Sequence, residues 1–110
     1  MVFNLDGKTT IVSQEDISLV GFIKNLNDAY SKLKNNHIII NLFSFDDITA
    51  SDIMEFLELS NKHRSAKKSF VIVTSKVTYD EAPEEICVVP TIQEAKDIIE
   101  MEDIERDLGL

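Results

Sequence analysis

Two short apolar runs constrain the fold of this 110-residue chain more than any other feature. The first spans residues 38–42 and contains three consecutive isoleucines, and the second is Phe70–Val73. Their apolar residues are consecutive instead of alternating, which is typical of strands that are covered on both faces. They therefore predict two central strands of a sheet with helices packed on each side.

An early hairpin is indicated by Asp6-Gly7. This dipeptide separates the apolar-rich runs 2–5 and 8–12, and Asp-Gly in that setting favours a two-residue turn in which both residues have positive φ. The sequence therefore predicts that the chain opens with an antiparallel pair of strands.

The first helix is predicted to begin at Ser13. A serine is a suitable N-cap, and Asp16 would lie near the positive end of the helix. Asn35-Asn36 would end it. The buried face is predicted from apolar residues that recur every three or four positions, namely Ile17, Val20, Ile23, Leu26, Tyr30 and Leu33.

A second helix is predicted over about 51–64, after the polar turn that follows the first apolar run. Its inward-facing residues are expected to be Ile53, Met54, Phe56, Leu57 and Leu59. Four cations cluster at its end, and we interpret them as complementing the helix C-terminus in preference to an anion site; they are Lys62, Arg64, Lys67 and Lys68.

The remaining elements complete an α/β pattern. Residues 76–85 predict a loop or one short helical turn, and residues 86–89 predict a last short strand. Thr91 and Glu94 form a capping-box pattern that opens a final helix. The inner face of that helix is expected to contain Ala95, Ile98, Ile99 and Ile104.

This order of elements predicts a single α/β domain over residues 1–110. The sheet would be mixed and mostly parallel, with an antiparallel edge strand and about three flanking helices. The charged tail at about 102–110 is expected to fray.

The acidic residues are concentrated in the last third of the chain. Residues 1–76 hold nine acidic and nine basic side chains, whereas residues 77–110 hold eleven acidic and two basic. Such a surface repels phosphate backbones, so no nucleic-acid partner is expected. Because no apolar run approaches the roughly 20 residues of a membrane span and no signal-peptide pattern opens the chain, we predict a cytoplasmic protein without a membrane partner.

No set of residues with a catalytic or metal-binding spacing is found. His37, His63 and Cys87 have no ligand spacing among them, and both histidines are expected to be ordinary solvated side chains. Cys87 lies in an apolar run, where a thiol usually packs as a small hydrophobe. The sequence therefore predicts no enzyme activity, no cofactor and no metal.

Ser51 is the residue with the sharpest functional signal. Either Thr49 or Ser51 is a suitable N-cap for the second helix; if Thr49 is the cap, Asp52 completes an acidic variant of the capping box. The alternative to this structural role is a modifiable hydroxyl at a helix N-terminus, where a phosphate would add about two negative charges.

The segment around Ser51 resembles the STAS domain, the fold of anti-sigma-factor antagonists. In that family a strand ending in Asp-Leu leads to Asp-Ser-Ser-Gly-Leu at a helix start, and a partner anti-sigma kinase phosphorylates the second serine. Here the strand ends in Asn41-Leu42, and the motif positions read Thr49-Ala50-Ser51-Asp52-Ile53. The element order and residues 88–95 fit the family too, and the ending resembles small STAS-like proteins of Bacteroidetes-type bacteria.

The resemblance implies a non-catalytic regulatory module that binds another protein, an anti-sigma-factor or kinase-like partner or another regulatory protein, with Ser51 as the phosphorylation site. The expected binding surface is Asp47, Thr49, Ser51, Asp52, Glu55 and Glu58. Two alternatives stay open: an accessory subunit that docks through its acidic C-terminal helix, and an enzyme or small-ligand carrier. The sequence leaves the oligomeric state open.

Overall fold

The computed structural model describes residues 1–14, 17–78 and 80–109. It contains nine elements in chain order: β1 (Val2–Asp6), β2 (Thr9–Ser13), α1 (Leu19–Leu33), β3 (His37–Asn41), α2 (Ala50–Met54), α3 (Leu57–Ser65), β4 (Phe70–Val73), β5 (Cys87–Val89) and α4 (Ile92–Asp107). The five strands form one sheet in the order β1-β2-β3-β4-β5. The predicted α/β class is confirmed.

The sheet is parallel except at its first edge. β1 pairs antiparallel with β2, and every later pair is parallel. The register places Val12, Ile40, Ile72 and Val88 in one row across the sheet. That row packs under α1, α2 and α3, while the neighbouring row through Ile39 packs under α4. The consecutive apolar runs thus have the predicted cause, because both faces of β3 and β4 are covered.

The hairpin turn lies one residue later than predicted. Asp6 pairs with Thr9 as the last residue of β1, so the turn consists of Gly7 and Lys8. Positive φ occurs at Gly7 but not at Asp6, which corrects the Asp6-Gly7 prediction. Asp6 instead stays in the strand, where its carboxylate lies 2.7 Å from the Lys96 ammonium of α4.

The start of α1 also differs from the prediction. Ser13 belongs to β2, where it pairs with Asn41, and the N-cap is Ser18, whose hydroxyl accepts the Gly21 amide at 3.1 Å. Asp16, the predicted acidic partner of the helix start, lies outside the described residues. The buried face is Phe22, Leu26, Tyr30 and Leu33.

Val20 is the clearest error in the predicted face of α1. It is 79% exposed, because it lies two residues before Phe22 and therefore almost opposite it on the helix. Ile17 precedes the helix, and its side chain covers Gly21 so closely that an added Cβ would lie 2.9 Å from it.

The predicted second helix is two helices. The amides of Glu55 and Phe56 bond to carbonyls three residues back, and the chain turns there between α2 and α3. The turn buries Phe56, whose ring lies 6.4 Å from that of Phe22. It leaves Met54 49% exposed, which corrects its predicted inward position. The described part of the chain accordingly contains four helices where about three were expected.

The last helix extends further than the sequence predicts. α4 begins with the predicted Thr91 cap, which accepts the Glu94 amide at 3.1 Å, and Ala95 and Ile99 are buried. Ile104 is 54% exposed, contrary to the expectation. The tail is helical through Asp107 instead of fraying at 102.

Residues 76–85 form the predicted loop as far as they are described; Tyr79 lies outside the described residues. None of the helices in the described part of the chain combines the length and the apolarity that a membrane crossing requires.

Candidate functional site

The N-terminus of α2 is closed by Thr49 and Asp52. The Thr49 hydroxyl accepts the Asp52 amide at 3.3 Å, and the Asp52 carboxylate accepts the Thr49 amide at 3.0 Å. These two bonds form a reciprocal capping box. The structure therefore selects Thr49 over Ser51 as the N-cap.

Ser51 is released from a capping role by this arrangement. It is the second residue of α2 and is exposed, and its hydroxyl takes part in no hydrogen bond among the described residues. Asp52, which follows it, is half-buried and turned back towards Thr49. A hydroxyl in this position is accessible to another protein without any change in the fold.

The turn before α2 is anchored to the core on either side of Asp47. Phe45 stacks on Phe22 with ring centroids 5.7 Å apart, and Ile48 is buried. Asp47 itself is exposed between these anchors. Its position is therefore set by apolar packing.

Glu55 and Glu58 lie at the junction of α2 and α3. Both are exposed and line a shallow groove of about 260 Å³ with Asn27 of α1 and Lys62 of α3. The six residues that the sequence singled out are thus exposed or half-exposed within one segment of the chain, residues 47–58, and we call this set the α2 face: Asp47, Thr49, Ser51, Asp52, Glu55 and Glu58.

Two half-exposed apolar side chains flank this stretch in the chain. Phe43 follows β3, and Met54 lies three residues after Ser51, so it shares a side of α2 with it. Each is 49% exposed. Large side chains of this kind are the usual anchors of protein interfaces.

A buried histidine joins α1, α3 and the start of β3. His63 is fully buried; its Nε2 donates to the Asn36 carbonyl at 2.8 Å, and its Nδ1 accepts the Tyr30 hydroxyl at 2.8 Å. Burial lowers the pKa of His63 and raises that of Tyr30. His63 is therefore not the solvated side chain that the sequence predicts.

His37 occupies the corresponding place on the other face of the sheet. It is 4% exposed, its Nδ1 accepts the Ser69 amide at 2.9 Å, and its Nε2 lies 2.9 Å from the Asp103 carboxylate of α4. Burial lowers its pKa, although the Asp103 carboxylate acts in the opposite direction. The prediction of a solvated His37 is wrong as well.

Glu102 ties the end of α4 to α3 and β4. Its carboxylate accepts Arg64 at 3.0 Å and the Ser69 hydroxyl at 2.5 Å, and Ser69 in turn accepts Arg106 at 2.9 Å. Arg64 also donates to the Phe70 carbonyl at 3.2 Å. Arg64, one of the four cations at the end of the second predicted helix, is therefore paired with the Glu102 carboxylate within the protein.

These polar groups offer little to a substrate. The histidines are buried within the packing between elements, and burial raises the pKa of the Cys87 thiol, which disfavours the thiolate. Among the described residues, no group of three or more histidine, cysteine, aspartate or glutamate side chains is placed to hold a metal ion. The contacts of these polar groups indicate a role in stabilising the fold more than a role in catalysis.

The helical spacing of these residues in the sequence indicated the network, although their charge did not. Glu102, Asp103 and Arg106 continue the helical face of Ala95 and Ile99 at intervals of three, four and seven residues. Extending the apolar face past residue 101 would have placed them against the sheet. Their charge suggested a solvated tail instead.

Solved structures with the same fold were found by comparison. A serine-to-glutamate variant of RsbS from Moorella thermoacetica matches with a TM-score of 0.65, covering 91% of this chain and 94% of that chain at 11% identity. The protein TM1081, solved by NMR, matches with a TM-score of 0.64, covering 89% of this chain and 86% of that chain at 16% identity. No protein-family model and no curated protein matches the sequence. The fold is STAS-like, as the sequence resemblance implied.

Proposed function

We propose that this protein is a non-catalytic regulatory module that binds another protein through the α2 face, in the manner of an anti-sigma-factor antagonist. The observation that carries the proposal is the capping box. Because Thr49 and Asp52 close the helix between them, the Ser51 hydroxyl is exposed without a structural task. The similarity of the fold to RsbS supports the regulatory class.

The partner would meet an apolar centre with an acidic margin. Phe43 and Met54 would supply the large apolar side chains, and Asp47, Glu55 and Glu58 would supply exposed carboxylates from the same part of the chain. A partner domain with a matching apolar pocket and basic rim fits this pattern, since rim charges steer association and buried anchors supply affinity.

Phosphorylation of Ser51 would act as an off-switch. A phosphate adds about 1.5 to 2 negative charges, and in the complex it would lie against the apolar centre and beside Asp52. Desolvation and like-charge repulsion both oppose binding there. The kinase would be the partner itself or another regulatory protein.

The test is quantitative capture from the cells in which the protein is native. Glu55→Lys/Glu58→Lys reverses two charges on the α2 face and spares the capping box, and Glu84→Lys/Glu85→Lys is the matched control at two exposed glutamates of the loop before β5. We expect at least one protein whose recovery falls at least about tenfold with the first variant and is unchanged with the second. If no captured protein shows that pattern, the proposal fails.

A further inference from the structure

The outer face of α4 carries an apolar stripe that the core does not use. Met101 and Ile104 are each 54% exposed and Leu108, the C-cap, is 68% exposed. Their spacing of three and four residues places them in line on one side of the helix. That side is opposite to Ala95 and Ile99, which pack against the sheet. Scattered exposed apolar residues are common, but three in register form a patch.

Three acidic side chains of α4 flank this stripe. Glu100, Glu105 and Asp107 are exposed, and none of them takes part in a side-chain hydrogen bond or ion pair among the described residues. The two cations of α4 are used elsewhere: Lys96 pairs with Asp6, and Arg106 turns inward to Asp103. The helix therefore presents apolar side chains between uncompensated carboxylates.

A groove continues the stripe on one side. It measures about 420 Å³ and lies between α4 and the β1–β2 hairpin, with Ile99 and Ile104 as its apolar lining. Its charged lining is mostly acidic, with Asp6, Glu100, Asp103 and Asp107 against Lys8 and Lys96, and Lys96 is paired with Asp6. A side chain from a docked helix would have room to enter it.

We infer that this surface, Met101, Ile104 and Leu108 with Glu100, Glu105 and Asp107, binds an amphipathic helix of another protein whose apolar ridge is flanked by lysine or arginine. Charge complementarity selects this occupant. A second copy docked through the same face would oppose carboxylates to carboxylates, and an anionic lipid surface would be repelled. The inference is independent of the α2 face, because α2 and α4 cover opposite faces of the sheet.

The inference is tested with a labelled synthetic helix of about 18 residues, roughly five turns, that carries leucines at positions i, i+3 and i+7 flanked by lysines. A second peptide with glutamates in place of the lysines is the charge control. We expect saturable binding of the basic peptide by fluorescence anisotropy, weakening as salt is added, and no binding of the acidic one.

Two variants locate the site. Ile104→Ser/Leu108→Ser should weaken binding of the basic peptide at least about tenfold, whereas Val20→Ser, which removes a still more exposed apolar side chain from α1, should leave it unchanged. Circular dichroism establishes that each variant is folded. Absence of binding to the wild type, equal binding of both peptides, or equal affinity of both variants would each overturn the inference.

Two further results would also overturn it. One is self-association of the wild type, seen by sedimentation, that Ile104→Ser/Leu108→Ser abolishes. The other is binding to phosphatidylglycerol vesicles that the same variant abolishes, since a membrane would then be the occupant of the stripe.

Discussion

The Tyr30 hydroxyl lies 2.8 Å from Nδ1 of His63, and this one contact joins α1 to α3 in the interior. The other ring nitrogen of His63 donates to the Asn36 carbonyl, so Nδ1 is the acceptor and the tyrosine is the donor. The next residue, His37, reaches Asp103 on the opposite face of the sheet. The two buried histidines therefore anchor the start of β3, one on each face of the sheet.

The Tyr30–His63 contact predicts a loss of stability in Tyr30→Phe. The substitution keeps the ring, over which the Lys62 ammonium lies at 4.7 Å, and leaves the buried Nδ1 without a donor. We expect the free energy of unfolding to fall by about 1–3 kcal/mol in urea denaturation. Ser31→Ala, at an exposed position of α1, should change it by less than about 0.5 kcal/mol. Equal values for the two variants would contradict the assigned bond.

The histidine pair predicts a pH-dependent stability. Burial lowers both pKa values below the ordinary 6.5, even though Asp103 and the Asn36 carbonyl oppose it, with Arg64, Lys68 and Arg106 acting in the same direction as burial. Below about pH 6.5 the unfolded chain therefore binds protons that the folded protein does not, and stability falls as the pH is lowered. Protonation of His37 would also break its bond from the Ser69 amide.

Urea denaturation at about pH 7.5 and about pH 5.5 measures this dependence, with the lower stability expected at the lower pH. Titration of the histidine ring signals by NMR assigns it. Midpoints for His37 and His63 at or above 6.5 in the folded protein would contradict the account.

The end of α4 is predicted to depend on Glu102. This carboxylate is 22% exposed and bonds to Arg64 and Ser69, so Glu102→Ala leaves a half-buried guanidinium without its partner. We expect a loss of about 1.5–3 kcal/mol in urea denaturation. Glu105→Ala removes an exposed carboxylate from the same helix and should cost less than about 0.5 kcal/mol. A similar effect of both substitutions would mean that the network contributes nothing beyond surface charge.

The cap of α2 distinguishes two hydroxyls that the sequence could not separate. Thr49→Ala removes the side-chain half of the capping box and should destabilise the protein by about 0.5–2 kcal/mol. Ser51→Ala removes a hydroxyl that the fold does not use and should be close to neutral. The reverse order, measured by thermal or urea denaturation, would make Ser51 the cap and remove the main support for its regulatory role.

Sequence patterns were informative wherever the cause of a structure is local. The consecutive apolar residues of β3 and β4 predicted their burial on both faces, and the spacing of Thr49 and Asp52 indicated a capping box as one of two possible starts of the second helix. The sequence predictions were wrong where a contact with a residue distant in the sequence determines the structure. The sequence predicts Ser13 as a helix cap, because its pairing with Asn41 is not visible in the sequence.

The role of the candidate residues as a binding surface stays a prediction, and their local structure was predicted only in part. The six residues of the α2 face are at the surface, as expected, but the break at Glu55 and Phe56 was missed because it depends on burying Phe56 against Phe22. Likewise, nothing near His37 in the sequence indicates Asp103, its partner 66 residues away.

Capture of a partner by Ser51 variants tests the central claim most directly. Ser51→Asp places a negative charge at the second residue of α2, where the helix dipole tolerates it, so the fold is retained. Ser31→Asp is the matched control, because it makes the same charge change at an exposed serine near the opposite end of the sheet. The account predicts a regulatory protein that wild type, Ser51→Ala and Ser31→Asp recover equally, and that Ser51→Asp recovers at least about tenfold less. Equal recovery of every captured protein by Ser51→Asp and Ser31→Asp would contradict it.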